Sequence, residues 1–165
     1  MKGARYGSLA ALAVVVLVGV ALYPRPVREE TPTLAPLPAD SATARDAPTL
    51  ALWSEAAGVP TLLTEAVAWT ESGRSLDPTL RGAAGEVGRF QIKPATARER
   101  CPRQNIMTYH GNLACYLRMM RENYAACRDW RCAIARYNGQ GPAAAAYAGR
   151  VLAFVERRVL AEVAR

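Results

Sequence analysis

Apolar and polar positions follow three different patterns along the 165 residues. Residues 7–23 hold no charge, between the basic pair Lys2 and Arg5 and the next charge at Arg25. Residues 24–48 keep no sustained period and carry Pro24, Pro26, Pro32, Pro36, Pro38 and Pro48 among Ala, Thr and Ser. The remainder holds enough Leu, Val, Ile, Trp and Tyr for a core, and in several segments apolar residues recur every three or four positions, the period of a helix with one buried face. Residues 60–72 read as a helix: Pro60 suits the first turn, Leu62, Leu63, Ala66, Val67 and Trp69 form the stripe, and Gly73 supplies the stop. A shorter helix over residues 94–100 opens at Pro94 and ends at Cys101-Pro102. Residues 113–124 and 130–137 are apolar stripes interleaved with Arg. Residues 142–164 are Ala-rich, with Val151, Leu152, Val155, Val159 and Leu160 on a recurring face. No long alternating run suggests a strand. The expectation is a mainly α domain over residues 49–165, large enough for one modest core.

The first 48 residues predict a different role. Seventeen helical residues would span about 25 Å, slightly short of a hydrocarbon layer of ~30 Å. A cleaved export signal and an uncleaved anchor both fit this length. Tyr23-Pro24 makes a poor cleavage site, and no Ala-x-Ala closes the run, which favours the anchor. A third reading is a weak anchor that later leaves the membrane. The expected division is therefore a short basic N-terminus at 1–6, a transmembrane or signal-anchor helix at 7–23 and a Pro-rich tether at 24–48. With Lys2 and Arg5 inside, the remainder faces outward. At roughly 3.1 Å per residue the tether reaches at most about 75 Å.

Cysteine placement agrees with export. Cys101, Cys115, Cys127 and Cys132 all fall in the helical domain, and an oxidising compartment lets such residues pair. Of the three pairings, Cys127 with Cys132 closes a short loop between two helices and leaves Cys101 with Cys115. Zinc is the rival reading, but His110 is the single His and no Cys-x-x-Cys occurs, so no metal and no cofactor are expected. The formal charge is +7, almost all from Arg, since Lys2 and Lys93 are the two lysines. Such a charge suits an anionic wall or a nucleic acid. Here the charges scatter over every helix and no DNA-reading motif is present, so no specific nucleic acid is expected.

Candidate chemistry gathers at Glu71, in the last turn of the 60–72 helix. The helix dipole there and the neighbours Val67 and Trp69 disfavour the charged form, and a carboxylic acid with a raised pKa is what protonation of a glycosidic oxygen requires. The bland reading of Glu71 is a solvated helix-end acid. Fourteen residues after it begins Gly85-Glu86-Val87-Gly88-Arg89-Phe90-Gln91-Ile92, where two glycines bare the backbone of a short loop. Gln91 can both donate to and accept from sugar hydroxyls and acetamido groups, while Phe90 suits the core. Downstream, Tyr137-Asn138-Gly139 ends a further helix. A Tyr hydroxyl suits the holding of a catalytic acid, and Asn138 reads equally as a left-handed cap.

These elements in this order resemble the soluble lytic transglycosylase family of the lysozyme-like superfamily, which cleaves peptidoglycan. The resemblance runs from about residue 50 to 159. It rests on Ala57-Gly58-Val59-Pro60, Glu71-Ser72-Gly73, the glycine loop, Pro94-Ala95-Thr96-Ala97, Tyr116-Leu117 and residues 135–139. It implies a lysozyme-like helical fold, Glu71 as general acid and base, and saccharide binding by Ser72, Gly88, Phe90, Gln91, Tyr137 and Asn138. Tyr137 would orient Glu71. It further implies action on peptidoglycan glycan strands at the bond between N-acetylmuramic acid and N-acetylglucosamine, closing a 1,6-anhydro ring without metal.

The chain also departs from the family's pattern. Phe90 stands where Met is usual, Arg89 adds a charge, and Gln140 looks inserted in the turn after Asn138. Asn105 and Asn112 both compete for the family's substrate-side Asn. A lysozyme-type hydrolase would need a second carboxylate, for which Asp77 and Glu86 are the candidates. A non-catalytic basic module that binds wall or nucleic acid is the remaining class. An extracytoplasmic, membrane-anchored site follows for a bacterial chain, and a virion-associated one for a phage chain. Either setting allows an envelope-spanning or virion assembly as partner.

Overall fold

The computed structural model describes residues 47–73 and 75–165, so the expected N-terminus, the anchor and the tether up to residue 46 lie outside the described residues. Six helices follow one another: α1 Ala47–Ala56, α2 Thr61–Ser72, α3 Pro94–Arg100, α4 Tyr109–Cys127, α5 Trp130–Asn138 and α6 Gly141–Val163. Helix α1 begins two residues inside the expected tether. Among the described residues no helix is long and apolar enough to cross a membrane.

Local chemistry sets the helix ends. Gly58, at φ 67°, turns the chain after α1, and Gly73, at φ 62°, stops α2 with its N–H on Trp69 O. Both need a left-handed backbone that glycine adopts freely. The Thr108 hydroxyl accepts from Gly111 N at 3.1 Å and opens α4 four residues before the expected 113, and Asp129 does the same for α5 through Cys132 N at 2.7 Å. Pro142 sits in the first turn of α6.

The core centres on α4, whose Leu113, Tyr116, Leu117 and Met120 are fully buried. Around it gather Leu63, Ala66 and Val67 of α2, Ala133 and Ile134 of α5, and Ala148, Val151 and Val155 of α6. Helix α6 packs along α5 and α2, α5 packs on α4, and α1 touches both α2 and α4. A buried hydrogen bond from Ser54 Oγ to Thr64 Oγ1, 3.0 Å, joins α1 to α2. Two disulfides staple the far end: Cys101 after α3 to Cys115 on α4, and Cys127 at the close of α4 to Cys132 on α5. Residues 75–93 run as a loop with two isolated antiparallel bridges, Arg81 to Val87 and Val87 to Ile92. That loop lies between the end of α2 and the start of α3 and carries both glycines of the candidate site.

Candidate active site

Glu71 is half-buried in the last turn of α2. The Tyr147 hydroxyl, reaching across from α6, donates to Glu71 Oε1 at 2.5 Å. Burial pushes the Glu71 carboxyl above the ordinary range. The Tyr147 hydrogen bond opposes that rise, the Glu86 charge adds to it, and the Arg150 guanidinium opposes it again. Arg150 also lies over the Tyr147 ring, 5.7 Å from its centroid. Burial and the Glu71 charge raise Tyr147 far above its usual range, so it stays a donor at every accessible pH.

Tyr137 does something other than expected. Its hydroxyl donates to Phe90 O at 2.5 Å, giving a loop carbonyl its partner, while Tyr147 holds the acid. Tyr137 is still near enough for the Glu71 charge to raise it further, after burial. The two tyrosines come from facing ends of α5 and α6, and one serves the loop while the other serves the carboxyl.

The glycine loop is fixed from beneath by Asn112. This side chain is 1 % exposed; Nδ2 donates to Val87 O at 3.0 Å and to Ile106 O at 3.2 Å, and Oδ1 accepts from Phe90 N at 2.9 Å. Gly88 has φ 74°, and a Cβ there would sit 2.7 Å from Asn112 Nδ2, so the bare backbone is needed for this Asn as much as for any ligand. Asn105 is exposed and accepts from Met107 N at 3.0 Å, closing a turn. Asn112 is sealed under the loop, and Asn105 belongs to an exposed turn.

Phe90 corrects another expectation. It is 1 % exposed and stacks on Tyr116, centroids 4.1 Å apart and planes 10° from parallel. A ring packed that way supports the loop from the core and offers no face to a saccharide. Gln91 remains half-buried, with φ 44°, and its Nε2 donates to Gly88 O at 2.6 Å. Ser72 Oγ donates to Ala68 O at 3.0 Å within its own helix. Asn138 is exposed as the last residue of α5, and the left-handed position falls to Gly139 at φ 138°, not to Asn138.

The two additional carboxylates behave unlike Glu71. Asp77 is exposed and held low by the Thr79 hydroxyl and N–H, 2.7 and 2.8 Å from Oδ1. Glu86 is held low by its own backbone N–H, the Ala84 N–H at 3.0 Å and Lys93 at 3.8 Å. A raised Glu71 and a lowered Glu86, close enough to feel each other, are carboxyls whose environments push them apart.

Sequence reading missed Tyr147. It stands on the stripe Tyr147, Val151, Val155, Val159, spaced by four and buried throughout, and is itself 3 % exposed. A tyrosine on a buried stripe needs a partner for its hydroxyl, and that was the available signal.

A helical domain built around one half-buried carboxyl, with a tyrosine on that acid and a glycine loop beside it, is consistent with a lysozyme-like glycan-cleaving domain. The family profile described as the transglycosylase SLT domain matches residues 49–150, and the chain belongs to that family. Membership makes it a peptidoglycan lytic-transglycosylase-type protein, a glycosidase-like lyase by class. No curated protein and no solved structure matches the chain.

Proposed function

We propose that the chain is a peptidoglycan lytic transglycosylase that cleaves the β-1,4 bond between N-acetylmuramic acid and N-acetylglucosamine and uses Glu71 as its single acid and base. The observation that carries this reading is the half-buried Glu71 carboxyl, raised by burial and held by Tyr147. Protonated, Glu71 gives its proton to the glycosidic oxygen as the C1–O bond breaks, and the substrate's own acetamido oxygen bonds to C1. The resulting carboxylate takes the proton from the C6 hydroxyl, whose oxygen displaces the acetamido oxygen at C1. That closes the 1,6-anhydro ring and restores the acid. Backbone of the 85–91 loop, Gln91, Ser72 and the exposed Asn138 are the groups proposed to line the saccharide groove. In this reading the anchor at 7–23 and tether at 24–48 hold the domain on the outer side of a membrane, within reach of the wall.

A muramidase is the second reading, favoured by one observation: the Glu86 charge reaches Glu71. Against it, Glu86 is occupied by two backbone N–H groups and Lys93. Digestion of purified sacculi followed by mass spectrometry separates the two. Anhydro-muropeptides support the lyase, hydrated reducing ends support the hydrolase, and no release removes both.

A further inference from the structure

At the opposite end of α2 from Glu71 lies a second concavity, of about 470 Å³, that the reaction does not use. Its floor is Ala57-Gly58 after α1, and its walls are Arg118, Arg121, Glu122, Tyr124 and Arg128 of α4 and its cap, with Trp130 of α5. Helix α2 has 12 residues, so roughly 18 Å of helix separates this groove from the acid. We propose that it is a binding site for the carboxylates of the short peptides that peptidoglycan strands carry.

Charge is the first argument. Glu122 is already shared between Arg118 at 2.8 Å and Arg100 at 2.7 Å. Arg121 and Arg128 form no ion pair among the described residues. Arg121 stands on α4 and Arg128 at its cap, and both line the concavity. Two unpaired guanidinium groups in one concavity suit a ligand with two carboxylates, each of which an arginine fork binds in bidentate fashion. Arg128 is moreover at φ 56°, a left-handed cap usually given to Gly or Asn, so a long cation occupies a position whose backbone does not call for it.

The aromatic wall is the second, independent argument. Tyr124 and Trp130 stack with centroids 4.2 Å apart. Trp130 is 5 % exposed, and its Nε1–H has no hydrogen-bond partner among the described residues. A buried indole donor left unpaired in a lining that also holds two unpaired cations calls for an acceptor, which an acceptor-rich ligand can supply. Short peptides of alanine and acidic residues bring carboxylates for the arginines, carbonyls for a donor and methyl groups for the ring faces. Their choice as occupant rests on the wall being the substrate, as proposed above. Holding a peptide here would keep a strand near Glu71 between cuts by raising its effective concentration.

The test uses the full chain carrying Glu71→Gln, so that glycan cannot be consumed, and the sugar-free stem peptide as probe. Calorimetry should show saturable binding that weakens with salt, and the Trp130 indole N–H resonance should move with it. Arg121→Gln/Arg128→Gln, folded by circular dichroism, should bind at least about tenfold more weakly. In a background with Glu71 intact, the same pair should leave cleavage of peptide-free glycan chains unchanged. Absence of saturation, equal binding by the double variant, or equal binding of the fully amidated peptide would overturn the proposal. So would equally strong competition by inorganic phosphate. Should the wild-type chain cut no glycan yet still bind the peptide, the catalytic reading falls and the groove stands; the reverse result removes the groove alone.

Discussion

Replacing Tyr147 with Phe removes one oxygen, the one that donates to Glu71 Oε1, and leaves a ring of the same shape in a site 3 % exposed. A hydrogen bond to a charged group contributes about 1.5–3 kcal/mol, against about 0.5–1.5 kcal/mol for a neutral pair. Tyr147 therefore favours the carboxylate over the acid. Without it burial and the Glu86 charge act less opposed, and the Glu71 pKa rises further. Two consequences are measurable on soluble glycan chains. The alkaline limb of kcat/KM, where Glu71 must be protonated to act as the acid, should move to higher pH. The turnover number should fall by about 10- to 100-fold, because the ring-closing step needs the carboxylate aimed and stabilised as a base, and each 1.36 kcal/mol is a factor of ten. Tyr137→Phe is the control: it releases Phe90 O in the loop, so KM should rise while the alkaline limb stays in place. An unmoved limb in Tyr147→Phe with turnover within twofold of wild type would refute the assignment of Tyr147 to the acid.

Three further outcomes follow from the same contacts. Glu71→Gln should abolish release from sacculi and raise the melting temperature near neutral pH. The native pKa is raised by burial, so the wild type is stabilised below the unfolded carboxyl value and loses that stability as pH climbs through the folded value; thermal melts should show the variant's advantage vanish in acid. Asn112→Ala leaves Phe90 N–H and Ile106 O without partners, while Val87 O keeps the Ile92 N–H, and urea unfolding should report a loss of about 2–3 kcal/mol. Reducing both disulfides should lower the melting temperature, the loop of sequence separation 14 contributing about 3 kcal/mol and that of 5 about 2 kcal/mol, as Cys→Ser pairs scanned by calorimetry would separate.

Five of the six described helices were legible because their signals are local, while α1 was not read. Residues 94–100 match α3 to the residue, and residues 60–72 and 130–137 each miss by one, since Pro, Gly and apolar period suffice to mark them. The stripe at 113–124 stopped short of Tyr109–Cys127 because polar and aromatic turns extend a helix once Thr108 caps it, and an apolar count does not see a cap. The position of Glu71 in the last turn of α2, with the glycine loop after it, likewise follows from local spacing. What escaped was every contact between distant segments. Phe90, suited to the core by its type, lies under the loop against Tyr116 and not at the saccharide contact the resemblance implied, and Tyr137 donates to Phe90 O and not to Glu71. A residue's type gives its chemistry, and only packing decides which neighbour receives it.

That limit also explains why the site has the form it does. A raised carboxyl is costly to bury, and a loop with two left-handed glycines has little stability of its own. The fold meets the two costs with separate devices. Asn112 and Tyr137 fix the loop backbone through Phe90 N–H and O, and Tyr147 hydrogen-bonds the Glu71 carboxyl. Because, among the described residues, no side chain hydrogen-bonds both Glu71 and the loop, a saccharide bound between them as proposed would couple the two. Substrate binding can then tighten the loop without altering the donor on the acid. The pH dependence of turnover should accordingly follow α2 and α6, while affinity follows the loop and α5.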